Sequence, residues 1–284
     1  MFGGGDNDTV TAGGTSGTIS GGAGNNQIVA SGTGEFILSQ GTDAITVSGA
    51  GDSVVGGAGP MTVTATVATQ VYAGAGNLTF VGGAGTSTVL GGTGTGSMTA
   101  GSGGLVYAAK TSPSATVNSG TGTVTIFGSA GTSTNLTGSG GPNQLIAGSG
   151  NETLNASGSS ASNYLAFGSS SIASSAVMIG GSGSDTLVAG SGPGSGTMTG
   201  GAGSDTFVFF KQAAGGAKDL ITDFESSDRI FIEGYSSTGS ASSLVNAATP
   251  GTSGGITLTL SDGTNVTFAN LTSASQLNGK IQYG

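Results

Sequence analysis

Two aspartates, Asp185 and Asp205, stand at the same place in two near-identical strings, GGSGSDTLV (180–188) and GGAGSDTFV (200–208). A third, Asp8, stands in GGGDNDTVT (3–11). Each follows a glycine-rich run, which here includes Gly181, Gly183, Gly201 and Gly203. The chain carries 14 Asp plus Glu against five Lys plus Arg, a formal net charge of −9. Acids in so base-poor a protein suit hard cations, which take oxygen ligands. The same balance argues against nucleic acid or an anionic membrane as partner, because both call for basic surface.

Other chemistries are excluded by composition. With Cys, His and Trp all at zero, disulfides, cysteine–histidine zinc sites and histidine catalysis are impossible. Serines abound, but no histidine exists to activate one, and Lys110, Lys211, Lys218 and Lys280 lie in no nucleophile motif. Asp223 and Asp228 could be read as paired carboxylates, yet a calcium or folding role is the stronger expectation. G-x-G-x-x-G strings and N-x-S/T sequons such as Asn77-Leu78-Thr79 and Asn151-Glu152-Thr153 follow from the abundance of Gly, Ser and Thr. The chain is expected not to be an enzyme.

The elements that position these acids come from an internal repeat. Residues 73–108 divide without gaps into AGAGNLTFV, GGAGTSTVL, GGTGTGSMT and AGSGGLVYA, with Phe80, Val89, Met98 and Tyr107 at the eighth place. The register extends upstream through Val10, Ile19, Ile28 and Ile37. It then meets a poor unit with Thr46 on the apolar slot, and continues with Val55, Val63 and Tyr72. Downstream come Val117, Ile126, Leu136, Leu145 and Leu154, and after an irregular 156–179, where Tyr164 and Met178 could hold the place, Leu187, Met198 and Phe207.

The glycine-rich half of each unit can turn sharply, since glycine accepts positive φ. The other half is a short strand with one side chain pointing inward. Two units make a coil of 18 residues, and stacked coils make an all-β, right-handed parallel β-roll (a β-solenoid) on the order of 50 Å long over 1–210. Glycine, at 60 residues, is abundant, but there is no G-X-Y triplet, which excludes collagen. Pro60, Pro113, Pro142 and Pro193 all fall in turn halves, where no ladder donor is lost. Asp185 and Asp205, 20 residues apart, would lie on one edge of the roll, one coil above the other.

The strings at 3–11, 180–188 and 200–208 resemble the G-G-x-G-x-D-x-U-x repeat of the RTX, or hemolysin-type calcium-binding, family. That resemblance implies a Ca²⁺ shared between stacked turns, held by the sixth-position aspartate and turn carbonyls. It selects Asp8, Asp185 and Asp205, with a Ca²⁺ expected between the last two. Asp8 has Asn26, a neutral oxygen ligand, two units ahead, which gives a weaker site. Most central units depart from the repeat, with Gly17, Ala44, Ser53, Ser87 or Gly96 at the sixth place. Glu35, Asp43, Asp52 and Glu152 at or near that place are expected to be solvated surface acids.

After the last repeats, Asp219-Leu220-Ile221-Thr222-Asp223-Phe224 and Asp228-Arg229-Ile230-Phe231-Ile232 resemble the D-x-I-x-D-F…D-x-I segment of such proteins. Ile256–Leu260 and 265–268 read as an antiparallel hairpin. The expected organisation is a roll over 1–210 and a C-terminal cap over 211–284. In the family this region accompanies an uncleaved C-terminal signal for type I export. The N-terminus, Met1-Phe2-Gly3-Gly4-Gly5-Asp6, does not read as a cleavable signal peptide, and no stretch reaches ~20 apolar residues, so no membrane span is expected. The resemblance thus implies a chain that passes through the type I secretion machinery and folds outside, where Ca²⁺ is plentiful and extracellular modules bind it at roughly 10⁻⁴–10⁻³ M.

A good repeat begins at Gly3, so an uncapped first coil is expected, and a bare coil invites head-to-tail contact with another copy. The favoured function is a secreted structural protein that self-assembles into a filament, surface layer or biofilm matrix. Alternatives are a monomeric adhesin, a ligand- or ice-binding module, or an export domain without its passenger. Against ice, the third turn position mixes Ala75, Ala84, Thr93 and Ser102; against carbohydrate adhesion, Tyr and Phe are expected mostly at inward places or in the C-terminal part.

Overall fold

A computed structural model describes residues 1–129, 134–167, 175–190, 192, 194–212, 216–235, 240–251 and 254–284. The chain forms two compact units, the first ending at Pro142 and the second carried by Asn143–Gly284. Pro193 and 168–174, part of the irregular stretch, lie outside the described residues.

In the first unit successive strands alternate between two parallel sheets. One sheet takes Thr9–Ala12, Asn25–Ala30, Thr42–Val47, Met61–Ala65, Leu78–Val81, Gly96–Thr99, Ser114–Asn118 and Thr134–Gly140 in that order. The other takes Thr18–Ser20, Phe36–Ser39, Ser53–Gly56, Gln70–Tyr72, Ser87–Leu90, Leu105–Ala108 and Val124–Phe127. This is the expected all-β parallel solenoid. The strands are short because glycine-rich turns interrupt them. Ile28, Ile37, Val63, Phe80, Val89 and Ile126 point inward and are fully buried.

The second unit has the same plan. Glu152–Ser159, Ser175–Ile179, Ser195–Thr199 and Lys218–Ile221 follow one another in one sheet; Asn143–Ile146, Tyr164–Ala166, Thr186–Val188, Thr206–Phe210, Arg229–Glu233 and Ile281–Tyr283 make the other. Parallel pairing continues past residue 210, since Lys218–Ile221 and Arg229–Glu233 both pair parallel with their predecessors. The antiparallel strands are Thr249–Pro250, Ile256–Thr259 and Asn265–Phe268. Short helical segments, Ala241–Asn246 and the 3₁₀ turn Ala274–Leu277, flank that set. No helix among the described residues is long and apolar enough to cross a membrane.

At four places the inward residue is the neighbour of the one expected from the repeat. Ile45, Val54, Val71 and Leu165 point inward and are almost wholly buried, whereas Thr46, Val55, Tyr72 and Tyr164 face outward. The cause is turn length. Ile37 and Ile45 are eight residues apart, one short of the period, and a slip of one residue moves a strand's whole inward set to the other face. Aromatics also divide differently from expectation: Phe80, Tyr107, Phe207 and Phe209 are buried, but Phe36, Tyr72, Phe127, Tyr164 and Phe210 are each about 40% exposed.

Candidate cation-binding edge

Two residues before each inward apolar side chain stands another inward residue, at the end of the turn. In the second unit these residues form a polar column along one edge: Asn143, Asn163, Asp185, Asp205 and Asp228, the last four directly preceding strands paired in sequence. All five are nearly inaccessible.

The column is built by one repeated bond, in which each side chain accepts the backbone N–H of the equivalent residue one coil earlier. Asn163 Oδ1 accepts from the Asn143 amide at 3.2 Å. Asp185 Oδ1 accepts from Asn163 N at 2.7 Å and from Asn163 Nδ2 at 2.8 Å. Asp205 Oδ1 accepts from Asp185 N at 2.7 Å, and Asp228 Oδ1 from Asp205 N at 2.9 Å. The N–H groups of Asn163, Asp185 and Asp205 lie in the turns just before their strands, and a buried amide without an acceptor costs about 1–3 kcal/mol.

The second carboxylate oxygens differ. Asp185 Oδ2 accepts from Gly181 N at 2.5 Å, and Asp228 Oδ2 from Glu225 N at 2.7 Å. Asp205 Oδ2 is buried and meets no donor. It faces the glycine start of its own turn, where a Cβ on Gly200 would fall 2.4 Å away. Asp223 grips the same turn, its two oxygens accepting from Gly200 N at 2.9 Å and Gly201 N at 2.8 Å.

The glycines serve this stacking. Gly201 has φ +93°, and a Cβ there would lie 2.0 Å from the Gly181 carbonyl; Gly203 has φ +124°, with the Gly183 carbonyl 2.4 Å from such a Cβ. Successive turns therefore stack carbonyl over glycine. Burial pushes the Asp205 carboxyl up to about 7, with the amide of Asp185 opposing and the charges of Asp228, Asp185 and Asp223 adding to the rise. Burial likewise raises Asp228.

A hard divalent cation suits this donor set: oxygen ligands only, one enclosed oxygen without a partner, stacked turn carbonyls, and further acids on the coils before and after. The fit is better at Asp205 than at Asp185, whose two oxygens already accept three N–H bonds. Among the described residues no three acids group as a metal cluster, so side chains alone would not complete the shell.

In the first unit Asp8 and Asn26 belong to a second column, on the other sheet's edge, with Asp43 next. Asn26 Oδ1 accepts from Asp8 N at 3.0 Å, and Asp43 Oδ1 from Asn26 Nδ2 at 2.8 Å. Asp8 Oδ2 accepts from Gly4 N, while Asp43 Oδ2 is buried without a donor. The neutral Asn26 thus bridges two acids.

The central acids are not solvated. Glu35, Asp43, Asp52 and Glu152 are each no more than 2% exposed. They occupy the same inward place as Asp185 and Asp205, so the slipped register that misplaced Thr46 and Val55 also misplaced Asp43 and Asp52. Asp219 is a further buried acid of this kind, its Oδ1 accepting from Gly196 N at 2.8 Å. Asn143 and Asn163 were missed for another reason: nothing marks an uncharged turn residue except its place two before an inward apolar one.

Comparison with known proteins agrees with the C-terminal part of this picture. Residues 150–282 match the family model described as the peptidase M10 serralysin C terminal, a span of less than half the chain. No curated protein matches the sequence. The chain is thus similar, over its second unit, to the β-roll end of a protease family.

Proposed function

We propose that the chain is an extracellular, non-catalytic β-roll closed by Ca²⁺ at its C-terminal coils, and that copies of it associate into a structural assembly. The observation that carries the calcium reading is the enclosed Asp205 Oδ2, without a donor, amid Asp185, Asp223 and Asp228. It falls within the span similar to the serralysin C terminal. That similarity also supports export by type I machinery, with Ca²⁺ supplying folding free energy outside the cell.

Self-association is supported by an apolar column on the first unit's outer face. Leu38, Val55, Tyr72, Leu90, Ala108 and Phe127 are paired neighbours along one sheet, all outward. Tyr72 and Phe127 are each about 40% exposed, and Phe36, two residues before Leu38 on its strand, is 42% exposed. Contiguous exposed apolar surface of this kind marks interaction sites. Electron microscopy of the chain refolded into millimolar Ca²⁺ tests both halves of the reading. Regular filaments or sheets that vanish on adding chelator are expected. Dispersed particles would overturn assembly, and a circular dichroism spectrum indifferent to Ca²⁺ would overturn the calcium role.

A second reading, binding to an ordered surface such as ice, is favoured by one observation. On the opposite sheet the outward neighbours Thr62, Thr79, Ser97 and Thr116 form one rank, and Thr46, Thr64, Val81 and Thr99 another. All eight are exposed and uncharged. The rank is on the strands, not at the third turn position. Strand geometry spaces such ranks by about 4.8 Å across and about 6.6 Å along. Inhibition of ice recrystallisation by the folded chain would move weight to this reading.

A further inference from the structure

Glu35 and Asp52 stand on successive coils of the first unit, in turns reading Ser31-Gly32-Thr33-Gly34-Glu35 and Gly49-Ala50-Gly51-Asp52. They lie outside the span similar to the serralysin C terminal. The strands they precede pair in parallel with Phe36 opposite Ser53, so the two acids are stacked. Asp52 Oδ1 accepts the Glu35 amide at 2.7 Å. Both side chains are enclosed, at 2% and 1% exposure, and each keeps one buried oxygen without a donor, Glu35 Oε2 and Asp52 Oδ2.

The coils that carry them hold no basic side chain. The first Lys or Arg in the sequence is Lys110, which is exposed. Stacked, enclosed carboxylates with no basic side chain on their own coils offer oxygen ligands to a cation, which would supply the missing counter-charge. The surroundings favour a cation. A Cβ at Gly32 would sit 2.7 Å from Glu35 Oε1, and one at Gly49 would sit 2.9 Å from Asp52 Oδ2, so both carboxylates face glycine turns with no side chain in the way. A groove lined by Gly51, Asp52, Ala68, Thr69 and Thr86 opens beside Asp52 and offers an entry path.

We propose that Glu35 and Asp52 together hold one divalent, oxygen-seeking cation between these two coils of the first unit. The site is a single pair and not the start of a row. The places that follow in the same column are Thr69, Ser87, Leu105 and Val124, none of them acidic. Its cation would close the first unit independently of anything bound near Asp205.

The test is calorimetric titration of the full chain with CaCl₂ at pH 8, comparing wild type, Glu35→Gln with Asp52→Asn, and Asp185→Asn with Asp205→Asn. The first double variant is expected to bind one Ca²⁺ fewer per chain while the C-terminal sites remain. Hydrogen exchange of residues 31–56 should slow at least tenfold on adding Ca²⁺ in wild type and in the C-terminal variant, but not in the first. Glu35→Gln alone, which removes a single charge, serves if the double variant does not fold and should weaken that one site at least tenfold. Unchanged stoichiometry in the Glu35 and Asp52 variants, with exchange over 31–56 indifferent to Ca²⁺ in wild type, would overturn the proposal. Loss of binding only in the Asp185 and Asp205 variant would overturn it too, while leaving the C-terminal reading intact.

Discussion

Asp205 accepts the amide of Asp185 at 2.7 Å, and its other carboxylate oxygen, wholly enclosed, has no donor. One half of the side chain thus finishes the backbone of the coil before, and the other half is left for a ligand. The two tasks can be separated, because an amide side chain performs the first and is poor at the second.

Asp205→Asn keeps an oxygen for the Asp185 amide and removes the buried charge. In chelator at pH 8 the variant is expected to melt above wild type, since burial disfavours the ionised carboxylate there. In Ca²⁺ the order should reverse. A ligand that binds only the folded state adds about 1.4 kcal/mol for each tenfold excess over its Kd, and the variant forgoes that gain. Melting temperature against Ca²⁺ concentration checks this; equal slopes for the two proteins would remove Asp205 from the site.

The inward register makes a sharper claim about adjacent residues. Leu165 is fully buried and Tyr164 is 40% exposed, although within the irregular stretch Tyr164 is the residue the sequence offers for the inward place. Leu165→Ala should cost about 2–5 kcal/mol, as cavity-forming core truncations do. Tyr164→Ala should stay within about 0.5–1 kcal/mol. Urea denaturation of both variants reads the difference, and the reverse order would put the strand in the other register.

These two cases show what was legible in the sequence and what was not. The period of nine led directly to the parallel solenoid, because Phe80, Val89, Met98 and Tyr107 recur without gaps, and all four are buried. The aspartates of the two near-perfect repeats could be placed one coil apart. The period failed where turns change length, as between Ile37 and Ile45, and there it reversed inside and outside for Thr46 and Tyr72. It therefore also hid Asp43 and Asp52, whose charge suggested solvent while their place dictated burial. Asn163 carried no signal of its own, since its role depends on accepting one coil's amide and donating to the next coil's carboxylate.

Glycines are equally unequal. Gly203→Ala would force a Cβ at φ +124° to within 2.4 Å of the Gly183 carbonyl and is expected to cost upwards of about 1–3 kcal/mol. Gly14→Ala, at a turn with nothing within 4 Å, should be neutral or stabilise by about 0.4–1 kcal/mol through the unfolded chain. Thermal melts in saturating Ca²⁺ distinguish the two. A tolerated alanine at 203 would mean that turns 181–183 and 201–203 do not stack as described.

Asp219 sets a pH dependence that Ca²⁺ at the aspartate column does not mask. Its carboxyl is buried beside Gly196, where the Phe167 ring leaves no room for a Cβ, and its Oδ2 has no donor. Desolvation pushes the group up to about 7 from 3.8, with the Gly196 amide opposing. The folded chain then holds this proton more tightly than the unfolded one. Stability from Asp219 is therefore complete below about pH 4 and is lost as pH rises through about 7, at up to about 1.4 kcal/mol per pH unit. Asp219→Asn removes the titration and leaves the oxygen that meets Gly196. Measured by urea unfolding in saturating Ca²⁺ between pH 4 and pH 8, wild type should lose stability with rising pH while the variant stays flatter and ends the more stable of the two. A variant with the wild-type slope would mean that Asp219 is ionised in the folded chain at neutral pH, which requires a counter-ion within reach of its second oxygen.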